Sequence, residues 1–280
     1  GVKLMSFGYA QDYDQDAPAI LRGPMVSKIV SQFLLSTDWG ELDYLVLDLP
    51  PGTGDIQLTV CQIVPITASV IVTTPQHISF IDVVKGIEMF DTLHVPVVGV
   101  VENMSYFEDH ETKKRHYPFG QGALRRLKAE FGFQHTTSLP LDDRVSRGGD
   151  HGLPFVEADA TSSPASLMLD FAAKVVNEVE VVVKGGIPVP KVGFVKGEGV
   201  LIHYDNEPER VIPAKVLRLA CQSALTRDEF TGEMKIKPED ISDDIEPLSM
   251  NPVGNYALGI NWSDGHASLY PYDQLKSFSE

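Results

Sequence analysis

The sequence predicts an α/β fold with a doubly wound, mostly parallel sheet, followed by a small α+β domain. Through about residue 184, apolar strand-like runs alternate with segments whose apolar residues recur at helical spacing. After that the composition turns to glycine and proline, and alternating apolar and polar residues indicate short strands. We therefore predict domains at 1–184 and 197–280, joined by a linker at 185–196.

Composition and charge narrow the classes of protein that the chain can belong to. Of its 280 residues, 43% are hydrophobic and 22% are charged, which is typical of a folded globular protein. The net charge of −16 argues against a nucleic-acid partner, because phosphate recognition needs a basic surface. No run approaches the ~20 apolar residues of a membrane-spanning helix, so we expect no membrane partner. The two cysteines, Cys61 and Cys221, are too few for a disulfide framework and favour a reducing compartment.

The first elements lead to a polar turn that carries the strongest functional signal. Residues 2–7 already have the pattern of a strand although the chain starts at Gly1, so we expect an N-terminal truncation. Residues 24–35 have apolar side chains at helical spacing. Residues 45–47 are continuously apolar, as expected of a strand buried on both faces of a parallel sheet, and Asp48 follows where this strand ends.

Asp48 and the glycines after it have the chemistry of a magnesium and phosphate site. A carboxylate at the end of a strand can hold the water shell of a phosphate-bound Mg²⁺. Gly52 and Gly54 permit backbone conformations that bring N–H groups close to a phosphate, and Thr53 offers a hydroxyl. The alternative is an ordinary strand-to-helix turn in which Asp55 caps the following helix.

The next two predicted strands, at 68–73 and 97–101, also end in polar turns. Thr74 follows the first of them and Asn103 follows the second. Because ligands bind beyond the carboxyl ends of the strands in open α/β sheets, Asp48, Thr74 and Asn103 should converge on one edge. Convergence of three such turns is a stronger signal than any one of them.

Periodicity and turn residues predict the remaining elements. They are helices at 56–64 and 79–93, a loop at 105–118, a helix at 122–131, an extended segment at 136–141, a helix at 165–183, a strand at 200–204, a helix at 214–221 and a hairpin formed by 256–262 and 267–270. The Asp264-Gly265 pair is a strong signal for the turn of that hairpin.

Several motifs occur in the order in which a known family has them. They are Met5-Ser-Phe-Gly8, Arg22-Gly-Pro-Met25, residues 43–55, Val72-Thr-Thr-Pro-Gln76 and Val101-Glu-Asn-Met-Ser105. On these motifs the first domain resembles the Mrp/ApbC group of MinD-like P-loop ATPases, which carry iron-sulfur clusters. Residues 217–221, 228–232 and 251–266 are similar to the small N-terminal domain of γ-butyrobetaine hydroxylase. The combination of the two domains resembles a plastid branch of the ATPase family.

The resemblance implies ATP, Mg²⁺ and a 4Fe-4S cluster as cofactors, and it assigns roles to particular residues. Asp48 matches the carboxylate that handles Mg²⁺, and the glycine turn after it matches a switch that senses the γ-phosphate. Asn103 matches the position that reads the adenine edge, although it could simply cap the end of a strand. Pro140 and Leu141 resemble a loop that packs beside the base, although a plain turn is equally compatible.

The chain departs from the family at two cofactor sites. No Gly-x-x-x-x-Gly-Lys-Ser/Thr loop occurs, so we expect this chain by itself to bind and hydrolyse ATP poorly, and its ATPase activity stays open. Many family members carry a Cys-x-x-Cys shortly after Asn-Met-Ser, but residues 105–116 contain no cysteine. We expect a solvated loop there rather than a metal site.

The small domain departs from its relatives in a similar way. The resemblance implies a zinc site made of three cysteines and one histidine, and Cys221, Ser223, Thr226 and His266 stand at those four positions. Two of the four ligands remain, which is too few for a closed site. Cys221 could still be one thiolate of a cluster shared between subunits, or it could be a small buried hydrophobe. Cys61 is expected in a core.

Two functional hypotheses follow. In the first, the protein is an ATP-dependent scaffold that holds a 4Fe-4S cluster, acts as a homodimer and transfers the cluster to apo iron-sulfur proteins. In the second, it is a nucleotide-independent adaptor or dimer platform that docks these client proteins. The resemblance implies the chloroplast stroma, with the cytoplasm or the mitochondrion as alternatives.

Overall fold

The computed structural model describes residues 2–9, 23–109, 111–185, 189–205, 207–223, 225–227, 233–253 and 256–278. Three places that carry predictions lie outside these ranges: the motif residue Arg22, residues 186–188 of the predicted linker, and residues 228–232. The chain divides into two units, Gly1–Ile66 and Thr67–Glu280.

Within its described residues, the first unit contains the α-helices α1 (Gly23–Leu35) and α2 (Asp55–Ile63), which pack on each other. Both agree with the helical periodicity of the sequence. The Thr59 hydroxyl of α2 donates to the Ser27 hydroxyl of α1 at 3.3 Å. The strand predicted at 2–7 is absent, and a short 3₁₀ helix, Phe7–Tyr9, ends that segment.

The sequence predicts a buried strand before Asp48, and this prediction is also wrong within the described residues of the unit. Residues 44–50 form no strand, and the side chains of Leu45 and Val46 are 40% and 88% exposed. An apolar run becomes a strand only where a neighbouring strand satisfies its backbone N–H and C=O groups. Within the described residues of the first unit, no segment forms such a ladder with it.

The first part of the second unit is a mixed sheet with helices. Its elements are β1 (Ser69–Thr73), α3 (His77–Thr92), β2 (Val97–Glu108), β3 (Arg115–His116), α4 (Ala123–Phe131), β4 (Thr136–Pro140), α5 (Asp143–Asp150), α6 (Phe155–Ala158) and α7 (Ser163–Lys184). Strand β2 pairs in parallel with β1 and with β4, and antiparallel with β3. The predicted α/β class with a parallel sheet is thereby confirmed.

Strand β2 is the centre of this sheet because its side chains are buried on both faces. Val97, Val98, Val100 and Val101 are all buried, as the continuous apolar run predicted. Gly99 interrupts the run for a reason of packing, since a Cβ there would lie 2.7 Å from a ring carbon of Phe171. The glycine therefore lets α7 approach the sheet closely.

Two expectations about this sheet need correction. The sequence predicts β1 as a buried strand, but Val70 and Val72 are 37% and 63% exposed, because they share one face of the strand and only the residues of the other face are buried. The loop predicted at 105–118 is largely a hairpin, in which β2 continues to Glu108 and pairs with β3. The Arg115 guanidinium lies 4.2 Å from the centre of the Tyr106 ring, and this cross-strand contact stabilises the hairpin.

The described residues of the small α+β module form two antiparallel three-stranded sheets, two short α-helices and a 3₁₀ helix at Pro238–Asp240. Its elements are β5 (Lys191–Val195), β6 (Gly199–His203), β7 (Arg210–Ile212), α8 (Ala214–Leu219), β8 (Pro247–Val253), β9 (Ala257–Trp262), β10 (Ala267–Pro271) and α9 (Tyr272–Ser277). The sheet orders are β5-β6-β7 and β10-β9-β8. The hairpin predicted from the sequence corresponds to β9 and β10. Strand β5 lies inside the range 185–196 predicted as a linker, so the described residues 191–195 of that range belong to the module.

The module and the mixed sheet meet at the end of α4. Phe131 and Phe133 stack at 5.7 Å between ring centres, and Tyr256 lies 6.1 Å from the first ring and 5.3 Å from the second. Gly132, between the two phenylalanines, has a φ of 72° and ends the helix in the left-handed conformation. A Cβ at Gly132 would lie 2.3 Å from the Cβ of Pro271. The joint therefore needs glycine for both its φ angle and its contact with Pro271.

None of the described helices is long and apolar enough to cross a membrane.

This joint generates the first prediction. Gly132→Ala should lower the free energy of unfolding by about 2–4 kcal/mol, because the new methyl adds a clash with Pro271 to the strain of a positive φ. Gly120→Ala is the matched control, since Gly120 has a φ of 90° and open space around it, so it should cost only about 1 kcal/mol. Urea denaturation measures both, and equal losses would mean that the contact with Pro271 contributes nothing.

Candidate functional site

Three parallel strands of the mixed sheet bring polar segments close together. Thr73 is paired with Glu102 in the parallel ladder of β1 and β2, and Glu102 is paired with Ser138 of β4. Because the strands are parallel and in this register, the turn that follows β1 lies beside the stretch of β2 that begins at Asn103. The predicted neighbourhood of Thr74 and Asn103 is therefore confirmed, whereas the placement of Asp48 beside them stays a prediction.

The turn after β1 is held by hydroxyl and amide groups. The Thr74 hydroxyl is 2.9 Å from the Ser79 hydroxyl and donates to Oε1 of Gln76 at 3.3 Å. Gln76 directly precedes α3 and is its N-terminal flanking residue. These contacts fix the geometry of the chain between the strand and the helix, so the turn presents its polar atoms in one arrangement.

Asn103 lies inside β2 rather than after it, in an irregular stretch at residues 102–105, the Asn103 turn, where the register with β4 shifts between Glu102 and Tyr106. Its side-chain oxygen accepts a hydrogen bond from the backbone N–H of Met104 at 2.9 Å. Met104 has a φ of 52°, which is uncommon for a residue with a side chain and marks a local reversal of the backbone. The Asn103 side chain is half-buried, and its amide NH₂ is the group that can donate to a ligand.

A cleft of about 670 Å³ lies beyond the ends of β2 and β4. Pro140 and Leu141 line it, together with the hairpin β2–β3 and the start of α7, while Asn103 does not. Arg144 also lines the cleft and donates to Asp142 at 2.7 Å and to Asp159 at 2.9 Å. The rigid proline and the apolar Leu141 side chain can pack against a flat ring.

Asp48 lies in the first unit on an exposed turn. The turn is stabilised by Gln57, whose side chain is 3% exposed and whose amide nitrogen donates to the carbonyl oxygens of Pro50 at 2.7 Å and Gly52 at 2.9 Å. Gly52 has a φ of 92°, as its predicted role in a tight turn requires. The Asp48 carboxylate is exposed and is open to a hydrated cation.

The other predicted residues of this turn are placed as follows. Thr53 and Gly54 are exposed. Gly54, rather than Asp55, precedes the first residue of α2, so the alternative of a helix capped by Asp55 is wrong. The N-terminus of α2 has no side-chain cap, which leaves its first N–H groups available to an anion. Cys61 of this helix is half-buried rather than in a core, and burial raises the pKa of its thiol.

The small module gathers all four residues that stand at the zinc positions of its relatives. The imidazole Nε2 of His266 lies 3.4 Å from the Cys221 sulfur and 3.2 Å from the Ser223 hydroxyl, which is 3.2 Å from the Thr226 hydroxyl. Cys221 and Thr226 are fully buried. The fold therefore brings together two residues of the zinc-ligand type and two hydroxyls.

These residues do not fit a closed metal site. No group of three or more histidine, cysteine, aspartate or glutamate side chains that could hold a metal ion occurs in the described part of the chain. The buried Arg218 guanidinium lies 3.4 Å from the Thr226 hydroxyl and 2.9 Å from the Asp264 carboxylate. Its positive charge opposes a second cation at this position. A hydrogen-bond network occupies the place of the metal.

Three residues important to these sites were missed at the level of sequence. They are Glu102, Gln57 and Arg218, each less than 9% exposed and each hydrogen bonded to residues on other segments. A polar residue inside or beside an apolar run is a weak signal of such burial. Their partners lie 3 to 46 positions away along the chain, and no short pattern identifies them.

A parallel sheet with polar turns at the carboxyl ends of its strands defines a class of ligand-binding α/β proteins. Comparison with known proteins identifies the family within that class. Residues 1–176 match the family described as ParA: NUBPL iron-transfer P-loop NTPase, so the chain belongs to this family. Residues 195–276 match the family described as gamma-butyrobetaine hydroxylase-like, N-terminal. The resemblance inferred from the motifs is confirmed.

Individual relatives agree with this assignment. The chain is 46% identical over 279 residues to the chloroplastic Fe-S cluster assembly factor HCF101 of Arabidopsis thaliana, covering 99% of this chain and 51% of that protein. It is 42% identical over 179 residues to an iron-sulfur cluster carrier protein of Aquifex aeolicus, covering 64% of this chain and 49% of that protein. A structure of an Archaeoglobus fulgidus nucleotide-binding protein with ADP matches at a TM-score of 0.42 and 40% identity, covering 45% of this chain and 52% of that one. The chain thus spans about half the length of these relatives.

The network around His266 generates a prediction about pH. Burial lowers the pKa of His266 and the Arg218 guanidinium lowers it further, while Asp264 opposes them. The unfolded chain, with a histidine pKa of about 6.5, takes up a proton before the folded chain does as the pH falls. The free energy of unfolding should therefore fall as the pH drops below about 6.5 and level off below the lowered pKa.

His266→Gln should flatten this part of the pH profile, whereas the exposed His116→Gln should leave it unchanged. Urea denaturation at a series of pH values between about 5 and 7.5 measures the slopes. If the free energy of unfolding changes with pH equally in His266→Gln and in the unsubstituted protein, His266 is not the cause of the pH dependence.

Proposed function

We propose that the protein is an ATP-dependent carrier of 4Fe-4S clusters that transfers them to apo iron-sulfur proteins. The observation that carries the proposal is the match of residues 1–176 to an iron-transfer P-loop NTPase family, together with the polar segments that the parallel strands bring close together. The printed names of the relatives, a cluster assembly factor and a cluster carrier, support the same activity.

The adenine is assigned to the second unit, where it would pack against Pro140 and Leu141 in the 670 Å³ cleft. The Asn103 amide, in the stretch of β2 that precedes the cleft-lining Tyr106, would donate to the edge of the base. Within the first unit, the backbone N–H groups of the turn Gly52-Thr53-Gly54 and the uncapped start of α2 have the chemistry to hold phosphate. Asp48 would bind the water shell of Mg²⁺, which neutralises phosphate charge when bound.

The cluster is the cargo of this protein. A 4Fe-4S cluster takes four ligands, so we assign it to an interface between two copies of the chain, with Cys61 of each copy among the ligands. Half-buried Cys61 is the more accessible thiol, because Cys221 is fully buried beside His266. ATP binding and hydrolysis would change how the two copies meet and so release the cluster to a client.

A second candidate function is a nucleotide-independent adaptor that docks client apoproteins. It is favoured by the shortage of metal ligands within the described residues and by the burial of Cys221. The plastid stroma is proposed as the compartment, since the Arabidopsis relative is chloroplastic.

Anaerobic reconstitution with iron and sulfide separates the two functions. A carrier should bind about four irons per pair of chains, show the absorption of a 4Fe-4S cluster and transfer it to apo-ferredoxin. Cys61→Ser should abolish this binding, whereas Cys221→Ser should reduce it less because that thiol is enclosed. A folded protein that binds no iron would favour the adaptor instead.

The magnesium role of Asp48 is tested by substitution. In a form of the protein that carries a phosphate-binding loop, Asp48→Asn should lower Mg²⁺-ATP turnover by about a hundredfold, since the neutral amide no longer attracts the hydrated ion. Asp43→Asn is the matched control on the same exposed segment and should leave turnover unchanged. Steady-state phosphate release measures both, and unchanged turnover in Asp48→Asn would remove this carboxylate from its assigned role.

A further inference from the structure

A buried carboxylate lies at the start of the Asn103 turn. Glu102, the residue paired with Thr73 and Ser138, is 5% exposed. One of its oxygens accepts a hydrogen bond from the Ser105 hydroxyl at 2.5 Å, and the other accepts from the backbone N–H of Leu124 at 3.0 Å. Both oxygens are thus held by hydrogen-bond donors rather than by a cation.

A carboxylate in such a place needs these partners. Burying a charged group costs free energy unless hydrogen bonds replace its hydration. Leu124 is the second residue of α4, so its N–H is one of the groups at a helix N-terminus that have no partner within the helix. The partial positive charge at that end of α4 stabilises the carboxylate, which caps the helix in place of the side-chain-free Gly122.

The second contact of Glu102 closes the turn that contains Asn103. Because Glu102 binds the Ser105 hydroxyl, the two residues between them are enclosed in a short hydrogen-bonded loop. Met104 adopts its left-handed φ of 52° within this loop, and its N–H holds the Asn103 side-chain oxygen. Without the hydrogen bond between Glu102 and Ser105, the left-handed conformation of Met104 would lose the contact that compensates for its strain.

We propose that Glu102 is a positioning residue for base recognition, which holds the Asn103 amide at the angle needed to read adenine. The inference rests on the proposed function, since it needs an adenine nucleotide at Asn103. Glu102 itself touches no ligand and acts by tying the Asn103 turn to the N-terminus of α4. The opposite end of the same helix packs on the small module through Phe131 and Gly132. Glu102 therefore links the base-reading turn to the helix that supports the module.

The test compares the affinities of fluorescent ATP and GTP analogues, because only the base differs between them. Glu102→Ala should lose about tenfold in its preference for ATP over GTP, as Asn103→Ala does, with little change in GTP affinity. Glu102→Gln should keep most of the preference, since its amide oxygen can still accept one of the two hydrogen bonds. The double variant Glu102→Ala/Asn103→Ala should lose no more than either single variant, because both act through the same contact.

The outcomes separate the inference from the function on which it rests. If the unsubstituted protein shows no preference for ATP, the adenine proposal itself fails and the inference fails with it. If the unsubstituted protein prefers ATP and the folded Glu102 variants keep that preference, or lose ATP and GTP affinity by the same factor, only the positioning role is overturned. Circular dichroism establishes the folding of each variant, and Glu102→Gln alone is sufficient for the comparison if Glu102→Ala does not fold.

Discussion

The parallel pairing of β2 with β1 and β4 is the constraint on which the rest of the second unit depends. The register that pairs Thr73, Glu102 and Ser138 brings the Thr74 turn after β1, the Asn103 turn inside β2 and the Pro140 segment of β4 close together. Gly99 makes the same pairing compatible with a covering helix, because it leaves room for the Phe171 ring. A shift of one residue in this register would turn the buried valines of β2 toward the opposite face.

Helix α4 has two functions in the structure that are physically connected. Its N-terminus stabilises the buried Glu102 carboxylate, and its C-terminus forms the aromatic contact with Tyr256 of the small module. The helix is only nine residues long, so both contacts are separated by little more than two helical turns. The same short helix therefore contacts both the central strand of the sheet and the small module.

The chemistry of the small module explains how a fold can keep the arrangement of a metal site without its ligands. The hydroxyls of Ser223 and Thr226 form hydrogen bonds where thiolates would coordinate, and Arg218 supplies a positive charge from the protein itself. A buried guanidinium is stabilised here by Asp264 and by a hydroxyl, so the network satisfies its polar groups. Hydrogen bonds rather than a metal therefore hold this part of the module together.

The sequence by itself determined the α/β class, the central strand β2, most helices, the hairpin β9–β10 and the family, because each depends on local periodicity, turn residues or contiguous motifs. It also identified the polar turns and the four residues that gather around His266. Only the tertiary structure decided that Leu45 and Val46 form no buried strand, that β1 exposes Val70 and Val72, and that Glu102 and Arg218 are enclosed. Burial and pairing depend on which distant segment lies alongside, and a polar side chain becomes important when its partner, such as the Leu124 N–H, is brought to it by the fold.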